Sequence, residues 1–367
     1  MLSDLSLEEL KEVRSMVAAL LDYSSAAIIR NNFIESFYKF THNGRLHGNY
    51  RLGGAKSFRL TSNNPNMLNA PSTGSIYAKP IKRCFVAEPD HIFYMVDYSA
   101  LEDRIIANLS RDKNKCAVFL EGMDGHCLNA TVYFKEEIEK ELPRKEGEDN
   151  IEYIKRIYQE IENGNKKLKA IRQKGKSPTF ALNYGCKPRK LSEITKMPIK
   201  EAEKVWKRFH EDLYPDIDKM TRETLSRAKK EGRINLGLGW YIRSSNPDRD
   251  LKTLFNAQSQ FWSILTLLTI NKLNKLIDEH GYNDKVEVVS SIYDSIYIHM
   301  ACEPKLICWL NKTIIPIMVS PCFEDMLVPL EAEGEIGFNW TDSVKVPNDA
   351  SEEVIVELLE KLCHPEE

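Results

Sequence analysis

Several features that would place this sequence in a specialised class are missing. No apolar run approaches the roughly 18 residues that span a bilayer, and no internal repeat is visible. The eight cysteines are scattered without a C-x-x-C pair, which argues against a zinc site or a disulfide framework. The start, MLSDLSLEEL, is acidic and helix-forming, unlike a secretory signal. The sequence therefore predicts a globular cytoplasmic protein with reduced thiols and no membrane partner.

An excess of basic residues is also missing, because 51 Lys and Arg residues stand against 54 Asp and Glu residues, a net charge of −3. This balance alone argues against a nucleic-acid binder, which needs clustered cations to neutralise phosphates. The charge is unevenly distributed, however. The segment 166–176, KKLKAIRQKGK, is strongly basic, whereas 135–163 and the C-terminal tail are acidic. The pattern leaves room for a local phosphate-binding surface.

The spacing of apolar residues indicates a mixture of helices and strands. Glycine and proline over 44–75 predict short strands and ordered loops. The charged stretch 135–169 is predicted to face solvent as an inserted segment. Apolar residues three and four apart predict helices over 5–40, most of 126–234, 251–278 and 350–363.

Two aspartates lie where predicted strands end. The β-branched and aromatic run from 91 leads directly into a helical pattern that reaches 110, and Asp97 stands at that junction. The stretch 286–300 predicts a hairpin with Asp294 at its turn. Alone, Asp97 is typical of a helix N-cap and Asp294 of local turn hydrogen bonding. Together, they are the carboxylates that two Mg²⁺ ions about 4 Å apart require.

A second group of candidate residues follows helical spacing. Arg172, Lys176, Phe180 and Tyr184 are each four residues apart, so one helix face offers two cations and two aromatic rings. A triphosphate needs the cations, and a base needs a stacking surface. The alternative is an ordinary basic helix with an aromatic stripe. Pro178 lies inside this stretch, where it must remove a helical hydrogen bond or kink the helix.

Three segments carry a resemblance to a known family. DYSALEDR (97–104), RQKGKSPTFALNYG (172–185) and IYDS (292–295) resemble motifs A, B and C of family A DNA polymerases, in the same order and with similar spacing. The similarity extends over roughly residues 44–340. Three ordered motifs make a chance match improbable.

The resemblance implies an α+β fold of the right-hand polymerase type, with an antiparallel-sheet palm, largely helical fingers and a vestigial helical thumb. The segments it implies are a thumb remnant at 1–43, palm at 44–110, fingers at 111–231 with an inserted segment at about 127–171, palm at 232–345, and a helical tail at 346–367.

The implied reaction is extension of a primer 3′-hydroxyl with dNTPs on primer-template DNA, releasing pyrophosphate. By resemblance, Asp97, Asp294 and the backbone carbonyl of Tyr98 hold two Mg²⁺ ions, with Mn²⁺ as a substitute. Lys176 matches the residue that stabilises the leaving pyrophosphate, and Arg172 and His126 match its neighbours on the phosphates. For a lone histidine at a helix start, the alternative is a structural cap.

Further roles follow from the same resemblance. Glu102 matches the steric gate against a ribose 2′-hydroxyl, and Tyr184 closes that pocket. Phe180 matches the ring on the sugar and base, which predicts discrimination against dideoxynucleotides. The residues that match DNA contacts near the primer terminus are Arg59, Asn256, Gln260 and Lys252, with lysine at 252 where the family usually has arginine.

Two departures from the family pattern leave other functions open. Ser295 replaces the acid that usually follows Asp294. Most of the thumb and the proofreading exonuclease have no counterpart, so we expect no proofreading. Either this chain is a fragment of a longer gene product, or a second polypeptide supplies the thumb and the exonuclease. A compact replicase of this kind indicates a phage or mobile element.

Two other functions remain possible at this point. One is a single-subunit RNA polymerase, which Ser295 favours and Glu102 and Phe180 oppose. The other is a subunit that has lost its catalytic activity and binds DNA or a partner. Pro178 and Ser295 favour this alternative.

Overall fold

The computed structural model describes residues 6–71, 76–183 and 186–364, without the side chains at 177, 180, 181 and 183. The strands are β1 (Thr41–His42), β2 (Arg45–Leu46), β3 (Asn49–Arg51), β4 (Thr61–Asn63), β5 (His91–Tyr98), β6 (Arg233–Gly237), β7 (Trp240–Arg243), β8 (Val286–Ile292), β9 (Ser295–Ala301), β10 (Ala332–Gly337) and β11 (Ser343–Val346). The α-helices are α1 (Leu7–Ile29), α2 (Glu35–Phe40), α3 (Ala78–Arg83), α4 (Leu101–Ser110), α5 (Lys113–Leu120), α6 (Gly125–Tyr133), α7 (Lys135–Glu141), α8 (Asn150–Glu162), α9 (Lys166–Asn183), α10 (Pro188–Thr195), α11 (Ile199–Arg208), α12 (Pro215–Glu231), α13 (Pro247–Gln260), α14 (Ile264–His280), α15 (Pro304–Val319) and α16 (Glu352–Cys363).

A five-stranded antiparallel sheet with the order β11-β10-β5-β9-β8 forms the centre of the first of two cores. The central strand β5 is buried on both faces, as its continuous apolar sequence requires. One face, with Ile92, Tyr94 and Val96, packs with residues of α14, α15 and α16. On the other face, Phe93 and Met95 form a smaller cluster with partners that include Trp340 and Met67. This double burial fixes the position of the residues at the end of β5.

A second core lies among the helices α6 to α11 and the residues around them. The stretch 135–169 was predicted to face solvent, and that prediction is wrong for α8. Tyr153, Ile154, Ile157 and Ile161 lie on one side of this helix and are buried in the second core. The charged residues that dominated the sequence pattern occupy its opposite side, as in any amphipathic helix.

The predicted helix over 5–40 is confirmed, as α1, one π-helical turn (Arg30–Ile34) and α2 run without a break. Ser6 and Glu9 close the first turn with a capping box. The apolar residues that revealed the helix are not buried, and α1 contributes no buried residue to the described structure. The predicted helix over 251–278 is interrupted by a 3₁₀ turn (Phe261–Ser263).

The α+β class is confirmed by these elements, and the predicted hairpin and C-terminal helix are present as β8–β9 and α16. No helix in the described ranges is long and apolar enough to cross a membrane.

Candidate active site

Asp97 is the penultimate residue of β5, and its backbone pairs with Ser295 of β9. The alternative role as a helix cap is excluded, because the N-cap of α4 is Ala100, in the left-handed conformation with φ 54°. The Ser295 hydroxyl donates a 2.8 Å hydrogen bond to Oδ1 of Asp97. The carboxylate is therefore held at the sheet surface by the neighbouring strand.

Asp294 lies in the tight turn between β8 and β9, directly after Tyr293, whose φ is 54°. The Tyr98 N–H points to the Asp294 carbonyl at 3.4 Å, which links the turn to the end of β5. Oδ1 of Asp294 is buried and has no hydrogen-bond partner among the described residues. Local turn hydrogen bonding therefore leaves this oxygen unsatisfied, and such an orphaned acceptor is suited to a cation.

The electrostatics of the two aspartates agree with that interpretation. Burial raises the pKa of Asp294 to about 6, with Arg59 acting to lower it and Asp97 to raise it. The pKa of Asp97 is also raised, chiefly by desolvation, while hydrogen bonds from Ser295 and Tyr98 oppose the shift. Two adjacent carboxylates with raised pKa values repel each other, and divalent cations relieve that repulsion. The residues present therefore fit a divalent metal site.

Arg59 and Glu102 lie beside the aspartate pair. The guanidinium of Arg59 forms an ion pair with Glu102 and sits 5.5 Å above the ring of Tyr293. Nε of Arg59 is buried and has no hydrogen-bond partner in the described structure. The structure thus brings together Arg59, which was predicted to contact DNA, and Glu102, which was predicted to exclude a ribose 2′-hydroxyl.

A basic group surrounds the start of α6. Arg172 donates two hydrogen bonds to Asp124, from Nε at 2.9 Å and from Nη2 at 2.7 Å. Asp124, not His126, is the N-cap of α6, which removes the structural-cap alternative for the histidine. Nδ1 of His126 is buried without a partner among the described residues. Burial lowers the His126 pKa, and Arg172 and Lys176 contribute in the same direction, so these three side chains are neighbours.

Asp124 is a functional candidate that the sequence analysis did not single out. It holds the guanidinium of Arg172 and also interacts with His126. The available signal was an aspartate followed by glycine at a predicted helix start, which is typical of a cap and says nothing of a partner 48 residues away.

The helix α9 continues through Pro178 to Asn183, so its backbone carries Arg172, Lys176 and Phe180 at helical spacing. The Phe180 side chain and the whole of Tyr184 lie outside the described residues. The predicted aromatic half of this surface stays a prediction.

The remaining DNA-contact candidates share the helix α13. Asn256 and Gln260 are four residues apart and half-buried, while Lys252 is exposed. The helix packs against α4, which carries Glu102, and against α12. The helix that carries these polar side chains is therefore a direct neighbour of the helix that carries Glu102.

Comparisons with known proteins agree with this architecture. A sequence model of the family described as DNA polymerase family A matches residues 2–342. The thermostable DNA polymerase I of Thermus aquaticus is 26% identical over 348 residues, which cover 91% of this chain and 37% of the relative. The DNA polymerase I of Chloroflexus aurantiacus is 36% identical over 130 residues, which cover 35% of this chain and 14% of the relative.

A solved structure described as "POL domain of Pol1 from M. smegmatis complex with DNA primer-template and dNTP" has the same fold. Its TM-score is 0.71 at 20% sequence identity, and the match covers 90% of this chain and 53% of that chain. The chain spans well under half of the length of the curated relatives it matches.

Proposed function

Because the chain belongs to DNA polymerase family A, we propose that it extends a primer 3′-hydroxyl with dNTPs on a DNA template and releases pyrophosphate. Family A DNA polymerases generally use divalent metal ions. The observation that carries the proposal is the buried, unpartnered oxygen of Asp294 beside Asp97. A cation would stabilise a site of this kind by pairing with the buried carboxylate.

In this proposal Asp97, Asp294 and the Tyr98 carbonyl hold two Mg²⁺ ions, with Mn²⁺ as a substitute. When bound, the ions lower the pKa of the primer hydroxyl and neutralise charge on the triphosphate. Ser295 stands in the position of the family's second acid and orients Asp97 through its 2.8 Å hydrogen bond. Because Ser295 is neutral, it adds no negative charge to that of the two aspartates. Two carboxylates suit a site that holds two divalent ions and a triphosphate.

The basic group around α6 is the proposed triphosphate site. Arg172, Lys176 and His126 bind the phosphates, and Lys176 stabilises the leaving pyrophosphate. The support for this role is the position of the Arg172 guanidinium, which Asp124 fixes through Nε and Nη2, so that Nη1, which takes no part in this pair, can meet a phosphate oxygen.

The remaining site residues fall into two proposed groups. Glu102, Phe180 and Tyr184 surround the sugar and base of the incoming nucleotide, with Glu102 as the steric gate. The residues proposed to contact the primer-template duplex are Arg59, Asn256, Gln260 and Lys252.

The two cores support a division of the chain into the parts of a polymerase. We assign the sheet core to the palm, at 44–110 and 232–345, and the helical core to the fingers, at 111–231. Residues 1–43 then correspond to the end of a thumb, and 346–367 to a C-terminal tail.

We further propose that a separate polypeptide completes the thumb and supplies an exonuclease. The supporting observation is the solvent-exposed apolar side of α1, a helix without a buried residue. Exposed apolar stripes of this length are typical of protein interfaces.

Primer extension by the purified chain tests the proposal. We expect Mg²⁺-dependent incorporation of dNTPs, and we expect Asp97→Asn and Asp294→Asn each to abolish it. Asp284→Asn, at an exposed position outside the site, is the matched control and should retain activity. Addition of proteins that co-purify with the chain tests the requirement for a partner.

The same assay separates the alternatives. Preferential use of rNTPs, or initiation without a primer, would replace the proposal with an RNA polymerase. Intact DNA binding without extension, by the chain alone and with its partner, would identify a retired subunit.

A further inference from the structure

A second cluster of potential metal ligands lies at the opposite end of β5 from Asp97. Glu88, His91 and His299 each offer one ligand atom, and these three atoms lie within 4.8 Å of one another. His91 is the first residue of β5 and Asp97 the seventh. At the rise of a strand, six steps separate the two by about 20 Å, so the cluster is distinct from the proposed active site.

The sheet register creates this cluster. His299 of β9 pairs with Phe93, two residues beyond His91, so both histidines project from the same face of the sheet. Their rings are nearly parallel, with centroids 4.6 Å apart. His299 is only 8% exposed, which fixes its position, whereas His91 is half-buried and reaches solvent.

The hydrogen bonds leave nitrogen lone pairs available. Nδ1 of His91 lies 2.9 Å from the Pro89 carbonyl and donates to it, so Nε2 of this ring is free to accept. Metal-binding histidines are commonly oriented in this way, by a carbonyl on the other ring nitrogen. Nε2 of His299 accepts from the Glu88 N–H at a long 3.3 Å, a bond that a metal ion can replace.

We propose that Glu88, His91 and His299 form a binding site for a divalent transition-metal ion of the Zn²⁺ type. Two imidazoles and one carboxylate are a ligand set that suits Zn²⁺ and its neighbours and does not suit Mg²⁺, which prefers oxygen.

Access and open coordination positions are provided by a surface pocket of about 560 Å³. Glu88 and His91 line this pocket together with Asp90 and Cys302. Because two of the three ligands line this open pocket, water can occupy the fourth position of a tetrahedral site.

The side chain of Arg45 competes with the metal ion for the carboxylate of Glu88. Its Nη2 lies 2.5 Å from Glu88 and its Nη1 lies 3.7 Å from Glu287, the residue paired with His299 in the sheet. The Arg45–Glu88 pair is about half exposed and contributes little by itself. Metal binding therefore exchanges a weak surface ion pair for metal–ligand bonds, and removal of Arg45 should favour the metal.

Calorimetric titration of the full chain with Zn²⁺ in excess Mg²⁺ tests the proposal, because Mg²⁺ occupies the carboxylate site at Asp97. We expect one Zn²⁺ site that His91→Gln and His299→Gln each weaken by about tenfold or more. Arg45→Gln should strengthen it. His280→Gln, at an exposed histidine outside the cluster, is the control and should change nothing.

Thermal unfolding gives a second readout that does not depend on activity. Zn²⁺ should raise the Tm of the wild type and of Arg45→Gln, and it should raise the Tm of His91→Gln by less at the same Zn²⁺ concentration. A wild type that binds no Zn²⁺, or a site that survives both histidine substitutions with unchanged affinity, overturns the proposal. An unaltered affinity in Arg45→Gln contradicts the competitor role.

Discussion

At the residue scale, the ionised carboxylate of Asp294 destabilises the metal-free protein. Burial raises its folded-state pKa from 3.8 to about 6, so the charged form is less favourable in the folded chain than in the unfolded chain. The free energy of unfolding therefore falls as the pH rises from about 4 through 6. The carboxylate is retained at a position where an apolar or amide side chain would be more stable, as is typical of functional sites.

We predict that Asp294→Asn is more stable than the wild type at about pH 8 in the presence of a chelator. The amide keeps the size of the side chain and removes the buried charge, for a gain of about 1–3 kcal/mol. The gain should shrink as the pH falls through 6 and disappear near pH 4. Urea unfolding of both proteins at each pH measures it. Asp284→Asn serves as the exposed control, and a variant no more stable than wild type at pH 8 contradicts the prediction.

Glu102 offers a second test at this scale. Its side chain is held by Arg59, so it has a fixed place beside the aspartates. We expect Glu102→Ala to reduce the preference for dNTPs over rNTPs by about tenfold or more, because it empties the space that a 2′-hydroxyl would need. The ratio of kcat/KM values for the two substrates measures the effect.

Glu102→Gln is the matched control for that experiment. It preserves the volume of the side chain and should keep most of the selectivity. If Glu102→Ala lowers the use of both substrates equally, the side chain positions Arg59 and does not act as a gate.

At the scale of elements, α9 carries an interior proline that a helix normally excludes. Pro178 has no N–H, so the Lys174 carbonyl loses its intrahelical partner, and the ring crowds the preceding turn. We predict that Pro178→Ala stabilises the chain by about 1–3 kcal/mol, as measured by chemical denaturation. Pro215→Ala, in the first turn of α12 where proline is favourable, should bring no such gain.

A neutral or destabilising Pro178→Ala would show that the chain around α9 is packed to match a distorted helix. In that case the distortion belongs to the fold, and its effect on nucleotide binding becomes the next measurement.

Local sequence signals predicted those elements whose limits are set locally. The helix that begins at the Ser6 capping box and the β8–β9 hairpin were predicted from spacing and turn residues and are present. The solvent-facing assignment of α8 was wrong, because it was based on the number of charged residues, although the helical spacing of Ile154, Ile157 and Ile161 already indicates one apolar side. The break at Phe261–Ser263 has no local signal of the glycine or proline type.

In the candidate site, too, local sequence signals predicted some features, whereas others depend on contacts between distant parts of the chain. Asp97 and Asp294 were predicted as a pair from their places at strand ends, and the family that their motifs resemble is confirmed. The partnership of Arg172 with Asp124 and the proximity of His91 to His299 depend on helix packing and strand register. Neither contact can be read from a single sequence, because each depends on how residues far apart along the chain come together.

At the scale of the whole molecule, the basic segment 166–176 is less positive than its sequence indicates. Lys167 pairs with Glu141 at 3.1 Å and Lys174 with Glu137 at 2.8 Å. Acidic residues of α7 thus neutralise lysines of α9 that the sequence offered as a phosphate-binding surface. Because the chain also has a net charge of −3, we infer that its own binding to DNA is weak.

Because we infer that the chain alone binds DNA weakly, a partner bound to the exposed apolar side of α1 would strengthen binding by adding contacts to DNA. Val17 and Leu20 on this helix are 46% and 58% exposed. We predict that the double substitution Val17→Glu and Leu20→Glu changes the free energy of unfolding by less than about 0.5 kcal/mol, because neither side chain is buried. It should abolish any stimulation of primer extension by the proposed partner polypeptide, because it places charge in an apolar interface.

Phe33, which is 5% exposed in the π-helical turn that follows α1, provides the contrast. Phe33→Ala should lower the free energy of unfolding by about 3–5 kcal/mol, because it removes a buried ring that packs edge-on against Phe37. Denaturation curves and extension assays on both variants separate a binding surface from a structural one. If the double glutamate variant unfolds as easily as Phe33→Ala, the apolar side of α1 supports the fold of this chain and is not a docking surface.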